Sequence, residues 1–388
     1  MLGGGETHIR TLGAALASAG LPSTVVTRRG ERAWPEMEDL DGIRVVRVPP
    51  SGPGRTGKYA MVPAAMRALA REPFDLLVVR GTRVLGLPGL LVARARGKPV
   101  VMQAEINGEL SGQAFTWGTP LDRRPYRDLV GMATGARNLL LRDAEAFVAM
   151  SSVIRDEFLA AGVPEARVHL IPHGVDSERF RPASADEKAA LRARLDWPQS
   201  AKVIVYTGRL LRGKGLETLL FAFREVVASD TEALLVLVGS GGGQGLSVED
   251  ELRDMAAGPG LAGRVVFAGR VSNVPDFLRA ADVFAFPSEF EALGLSLVEA
   301  CACGLPAVAS RTGGIVDVIE DGRSGLLVAP GDRVALAAAL RRLLADEELR
   351  AGLGRRGREV ARSRFDVAAA TSRYRALFVE LARGAAAG

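Results

Sequence analysis

Short runs of β-branched and aliphatic residues alternate along this chain with longer windows whose apolar positions recur at helical spacing. The strand-like runs fall into two series. The first covers residues 24–27, 43–48, 75–79, 99–103, 146–150 and 168–171; the second covers 203–207, 234–238, 265–268, 283–286, 307–309 and 326–328. Amphipathic windows such as 6–19, 151–161, 216–228 and 333–344 lie between them. Apolar strands separated by helices are buried on both faces, which predicts parallel, doubly wound sheets. Two series predict two sheets, so the expected fold is α/β with two Rossmann-like domains facing across a cleft.

The stretch Ile171-Pro172-His173-Gly174-Val175-Asp176 ends the first series and carries both Pro and Gly. It divides a domain over residues 1–172 from a second over 173–364. Residues 365–388, helical over 365–383, are expected to pack back toward the first domain. Residues 181–200 are polar, with Pro182 and Pro198 around one short helix.

In open α/β sheets ligands bind beyond the carboxyl ends of the strands, so the chemistry is sought in the loops that follow them. The loop Gly208-Arg209-Leu210-Leu211-Arg212-Gly213-Lys214-Gly215 is almost a P-loop. Gly215 stands where Ser or Thr would ligate magnesium, which argues against an NTPase. Arg209 and Lys214 still place two cations on a turn feeding a helix N-terminus, an arrangement suited to a diphosphate. The bland alternative is a solvated basic turn. The run from Gly239 to Gly245 has dinucleotide-loop character, but no helix starts at once after it.

The third loop is the most informative: Glu289-Phe290-Glu291-Ala292-Leu293-Gly294-Leu295-Ser296-Leu297-Val298-Glu299-Ala300. Gly294 allows close backbone approach, Ser296 is the expected N-cap, and the first-turn amides would face an anion. Glu291 and Glu299 flank that point, one for each end of a sugar nucleotide. For a lone pair of acids, a solvated Glu291 and a helix-terminus contact for Glu299 would suffice. An acid–Gly–acid order after a buried strand asks for more.

Composition narrows the classes. A chain of 388 residues suits two domains, and 48% hydrophobic with 24% charged residues is a globular balance. The net charge of +5 favours anionic small molecules or an acidic membrane face. No Lys/Arg run is interleaved with aromatics, so nucleic acid is not an expected partner. Cys301 and Cys303 are too close for an ordinary disulfide and read as small core residues of a cytoplasmic protein. The three histidines show no metal-ligand spacing, and no metal is expected. Arginines at 94, 96, 123, 124 and 127, with Lys98, leave two readings. One is solvated surface; the other is peripheral contact with the inner face of a membrane.

Taken in order, the motifs resemble the retaining glycosyltransferase family four, with the GT-B fold. Gly3-Gly4-Gly5-Glu6 is similar to its first glycine loop, and the 171–176 stretch resembles its IPNGVD linker with His173 in place of Asn. Gly208-Arg209 with Lys214-Gly215, the EX7E span from Glu291 to Glu299, and Gly313-Gly314 through Val328 follow in the family's order. The resemblance implies transfer of a sugar, with retention, from a UDP- or GDP-type donor to an unidentified acceptor. It also implies no cofactor and no divalent metal. It gives catalytic roles to Arg209, Lys214 and Glu291, with Glu291 on the donor sugar and Glu299 on the ribose. It places Gly4, Gly239 and Val271 on the donor side, together with Leu293, Gly294 and Leu295.

The chain departs from the family after residues 100–103, where the family carries His. Here the sequence reads Gln103-Ala104-Glu105-Ile106-Asn107-Gly108-Glu109. Glu105, taken as a catalytic candidate, and Asn107 are the two residues that could stand in its place. Further, a phosphate-facing glycine loop follows a strand, yet only Met1-Leu2 precede Gly3. A further strand ahead of Met1 is therefore expected. The competing functions are a sugar-nucleotide epimerase of the same architecture, an NAD-dependent oxidoreductase and a non-catalytic nucleotide-sugar binder.

Overall fold

The computed structural model describes residues 4–52, 57–116, 123–243 and 245–387. Gly3, Gln244 and residues 117–122 lie outside them. The chain forms two compact units, one built from Gly5–Pro172 with Ala368–Gly388, the other from His173–Val367 together with Gly4.

The first unit runs α1 (Gly4–Ser18), β1 (Ser23–Arg28), β2 (Met37–Leu40), β3 (Ile43–Val48), α2 (Gly57–Ala60), α3 (Val62–Arg71), β4 (Leu77–Arg80), α4 (Thr82–Ala95), β5 (Val100–Gln103), α5 (Gln113–Thr116), α6 (Tyr126–Leu141), β6 (Ala146–Ala149), α7 (Ser152–Ala160) and β7 (Val168–Leu170). Its strands make two sheets, β1-β3-β2 and β4-β5-β6-β7. The pairing is parallel except for β2 on β3.

β2 is the strand that periodicity misses. Met37-Glu38-Asp39-Leu40 is polar and mostly exposed, and it pairs through a hairpin turn with positive φ at Asp41 (51°) and Gly42 (79°). Asp39 and Leu40 are therefore strand residues. The first helix also begins earlier than expected, so Gly4 is its first residue rather than part of a preceding loop.

The second unit runs α8 (Ala185–Arg194), β8 (Lys202–Thr207), α9 (Leu216–Val227), β9 (Ala233–Val238), α10 (Glu249–Ala257), β10 (Val265–Gly269), α11 (Val274–Ala280), β11 (Val283–Phe286), α12 (Leu295–Ala302), β12 (Ala307–Ser310), α13 (Ile315–Val318), β13 (Leu326–Val328), α14 (Arg333–Ala345) and α15 (Glu347–Arg364). Its six strands are parallel, in the order β10-β9-β8-β11-β12-β13. The order reverses between β8 and β11, which makes the carboxyl ends of those two strands the switch point.

The chain then returns as α16 (Val367–Ala387). Tyr374 and Leu377 join Leu12, Leu16, Val101, Ala146, Val148 and Ile171 in one apolar cluster of the first unit. The Gln103 amide donates to the Tyr374 hydroxyl at 2.9 Å. Just before that return, the Val175 amide donates to the Phe365 carbonyl and the Val367 amide to the Val175 carbonyl. Gly174 is required there, because a Cβ would lie 2.4 Å from the Val367 Cα.

The site strands are anchored at their amino ends by Asp282. Its carboxylate accepts from the Val203 amide of β8, from Lys188 and from Arg192, all within 2.6–2.7 Å. Desolvation opposes the ionised form, but these partners outweigh it and hold the pKa below the usual value. That stability is present above the ordinary Asp pKa and is lost on acidification. Arg192, 6% exposed, also donates to the carbonyls of Ala280, Gln199 and Ala201. Removing one member of a buried pair costs about 3–5 kcal/mol, and Lys188 keeps this case near the low end. Urea unfolding of Arg192→Ala should show a loss of about 3 kcal/mol; a near-zero loss would mean the network does not hold β8 against β11.

Candidate active site

The loops after β8 and β11 meet at the switch point. Lys214 Nζ lies 2.6 Å from Glu291 Oε2, both largely buried. Backbone geometry brings them together. The Glu289 amide donates to the Gly213 carbonyl at 3.0 Å. Gly215 adopts a φ of +66°, and a Cβ there would sit 2.0 Å from the Pro287 carbonyl oxygen. Hence Ser or Thr cannot replace Gly215, and the P-loop reading fails on sterics. Gly215 is also the N-cap of α9.

The β11 loop is braced from its other side. The Gly314 amide donates to the Glu291 carbonyl at 3.1 Å, and the Thr312 hydroxyl to the Glu289 carbonyl at 3.1 Å. A Cβ at Gly314 would meet the Ala292 carbonyl oxygen at 2.2 Å. The loop ends at Gly294, whose φ of +90° makes it the N-cap of α12. Ser296, expected as the cap, lies inside the helix instead. The Leu297 and Val298 amides donate to the Gly294 carbonyl, and the amides of Leu295 and Ser296 ahead of them have no carbonyl within the helix to reach, which suits this end to an anion. Leu293 is 2% exposed, so its backbone rather than its side chain is left to face a ligand. Leu295 and Glu299 are half-buried. Desolvation pushes the Glu299 carboxyl up to about 7, against the opposing charge of Arg179.

Arg209 is exposed on the β8 loop, and its carbonyl accepts from the buried Tyr206 hydroxyl at 3.1 Å. Gly239 packs on the same loop, since a Cβ would lie 1.8 Å from the Gly208 carbonyl oxygen. The glycine-rich run then folds back along it. The Arg212 amide donates to the Leu246 carbonyl and the Val248 amide to the Leu210 carbonyl. The Glu249 carboxylate pins the turn by accepting from the Ser240 hydroxyl and the Gly241 amide, both at 2.8 Å. This return removes the loop-into-helix geometry a dinucleotide fold uses, which counts against the oxidoreductase. Glu249 carried no motif and was not foreseen. Val271 is half-buried just past β10, at the sheet edge.

Glu105 belongs to the other unit. It is exposed on the loop after β5, with an oxygen 3.6 Å from Arg80 Nε. The buried acid of that loop is Glu109, 2% exposed, which accepts from the Thr82 hydroxyl at 2.8 Å and the Glu105 amide at 3.1 Å. Burial raises its pKa, and those hydrogen bonds oppose the rise. Glu157 of α7 accepts from the amides of Gly108, Leu110 and Ser111. Neither acid was among the expected residues. Among the described residues no group of three or more His, Cys, Asp or Glu could hold a metal ion. No described helix is long and apolar enough to cross a membrane.

Residues 2–179 match the model of Glycosyltransferase Family 4, and residues 187–360 that of Glycosyl transferases group 1. A D-inositol 3-phosphate glycosyltransferase of Saccharomonospora viridis is 32% identical over 379 residues, covering 92% of this chain and 85% of that one. Sucrose-phosphate synthase from Thermosynechococcus elongatus superposes with a TM-score of 0.83 at 27% identity, over 98% of this chain and 94% of that one. Anabaena HepE in complex with UDP-glucose gives 0.77 at 20% identity, over 98% and 97%. Matches of this extent to relatives of one kind settle the family: the chain belongs to the nucleotide-sugar-dependent glycosyltransferases of the GT-B fold.

Proposed function

We propose that this enzyme transfers a sugar with retention of configuration from a UDP- or GDP-type donor, without a metal, in the cytoplasm. The observation that carries the reading is the approach of Lys214 to Glu291 at 2.6 Å beside the amide end of α12. A donor diphosphate presents the negative charge that this end and the two cations Arg209 and Lys214 complement. Glu291 neutralises Lys214 when no donor is bound and takes hydroxyls of the donor sugar when one is. Glu299 accepts from the ribose hydroxyls. Leu293, Gly294 and Leu295 offer backbone to the phosphates, and Gly239 with Val271 lines the nucleotide side. By the family resemblance Gly4 is assigned to the donor side, and Glu105 stands in the place where the family carries His. Cationic preorganisation supplies the leaving-group stabilisation a metal would otherwise give.

UDP-glucose is the donor bound in Anabaena HepE, which makes UDP-sugars the first donors to assay. The relative that acts on D-inositol 3-phosphate makes a polyol phosphate the first acceptor class to test.

Lys214→Ala should lower turnover roughly 100- to 1000-fold while leaving the melting temperature near its original value. Near-normal turnover would remove Lys214 from the phosphate site.

Ribose hydroxyls donate to a carboxylate, so Glu299 must lose its proton to bind them. With its pKa at about 7, affinity for UDP or GDP should rise about tenfold between pH 6 and pH 8. Calorimetry on Glu299→Gln should show that component of the pH dependence gone. Glu291→Ala should leave nucleotide affinity unweakened and lower donor turnover. Equal losses in both variants would contradict the division of roles.

Turnover should persist in excess EDTA. Complete loss restored by magnesium or manganese would overturn metal independence.

A further inference from the structure

Helix α6 turns most of its large apolar side chains outward. Its buried or half-buried positions are Val130, Thr134, Arg137, Asn138 and Leu141. Tyr126, Leu129, Met132, Ala133, Ala136, Leu139 and Leu140 are all exposed. The five large side chains among them each expose more than half their surface. At 100° per residue these seven positions fall within one face, and from residue 126 to 140 the face runs about 21 Å.

The charges sit at one end. Arg123, Arg124 and Arg127 are exposed around the amino end of α6. The nearby carboxylate is Asp128, 3.7 Å from Arg124 across an exposed pair. Arg137 turns inward and donates to the Glu109 carbonyl at 2.7 Å. The second basic cluster of this unit is engaged internally. Arg94 holds Asp143 and Glu145, Arg96 donates to the carbonyls of Leu69, Ala70 and Glu72, and Lys98 pairs with Asp75.

We infer that the outward face of α6 docks this protein on an anionic lipid bilayer. An apolar face flanked by arginines matches the interfacial geometry, with side chains in the acyl boundary and guanidinium groups at the headgroups. A second copy fits less well. Stable interfaces use about 20–30 residues a side, and this face offers seven.

The test is flotation of the purified chain with vesicles of phosphatidylcholine alone or mixed with phosphatidylglycerol. Partition to the mixed vesicles should exceed that to neutral ones at least about tenfold and fall with added salt. Leu129→Glu combined with Leu139→Glu should lower it about tenfold or more with an unchanged melting temperature, since both side chains are exposed. Arg123→Ser, Arg124→Ser and Arg127→Ser together should remove most of the preference for anionic vesicles. Equal flotation with both vesicle types, or a Leu129→Glu/Leu139→Glu variant that floats like the parent, overturns the assignment. So does a parent that ignores vesicles but forms a dimer in sedimentation velocity that the double variant cannot form; the face is then a contact between copies.

Discussion

At Gly215, Gly239 and Gly314 a Cβ would fall within about 2 Å of a carbonyl oxygen of the neighbouring loop: Pro287, Gly208 and Ala292 respectively. Four post-strand loops, those after β8, β9, β11 and β12, can therefore stack backbone on backbone around the switch point. This contact is too close for any side chain to mediate. It carries the hydrogen bonds from Glu289 to Gly213 and from Gly314 to Glu291, which set the height of the β11 loop above the sheet. A bulkier residue at Gly215 would push the β8 and β11 loops apart and separate Lys214 from Glu291. The glycines act less by flexibility than by omitting an atom.

With the backbone so placed, the electrostatics follow. A lysine held beside a helix amino end in a largely buried setting is unfavourable alone, and Glu291 at 2.6 Å relieves it. The partner is itself in the site, so in the proposed reading the compensation is exchangeable. An incoming diphosphate replaces the carboxylate as the counter-charge, and the carboxylate becomes available to sugar hydroxyls. At Glu299 desolvation outweighs the opposing charge of Arg179. Its pKa near 7 reflects that, and the energy of ionising it is tied to whatever donates to it.

The buried strands were readable because a strand covered on both faces must be largely apolar, as Val283–Phe286 is throughout and Ala307–Ser310 is up to its last residue. β2 was not readable. It lies at the edge of its sheet, half its residues are acidic, and an antiparallel partner rather than burial holds it. The acid–Gly–acid order exposed the β11 loop, but the cap was misplaced by two residues. A left-handed Gly294 ends the loop before Ser296 can serve. Glu249 and Glu157 were invisible because their work is to bind backbone amides of irregular loops, and no spacing rule marks an acid for that task. The Lys214–Glu291 pair spans 77 positions and depended on strand order, which periodicity does not supply.

The same shortage of regular backbone partners accounts for α6. The loop after β5 is irregular over residues 104–112, and its amides and carbonyls need partners that no strand provides. Glu157 takes three of the amides from one side. From the other, Asn138 donates to the Leu110 carbonyl and Arg137 to that of Glu109, both at 2.7 Å. A helix that must offer Asn138 and Arg137 inward has little room for apolar residues on that face. Val130 and Leu141 take what room there is, and Tyr126, Leu129, Met132, Leu139 and Leu140 are found on the opposite face, where burial within the unit is not available to them. Left in water, that face costs solubility without stabilising the fold, and an ordinary surface would carry polar residues there. Conversely, an apolar face tied to a helix that orders the β5 loop joins the surface used for docking to the loop that carries Glu105. Anything that seats α6 acts on a segment already hydrogen-bonded to that loop.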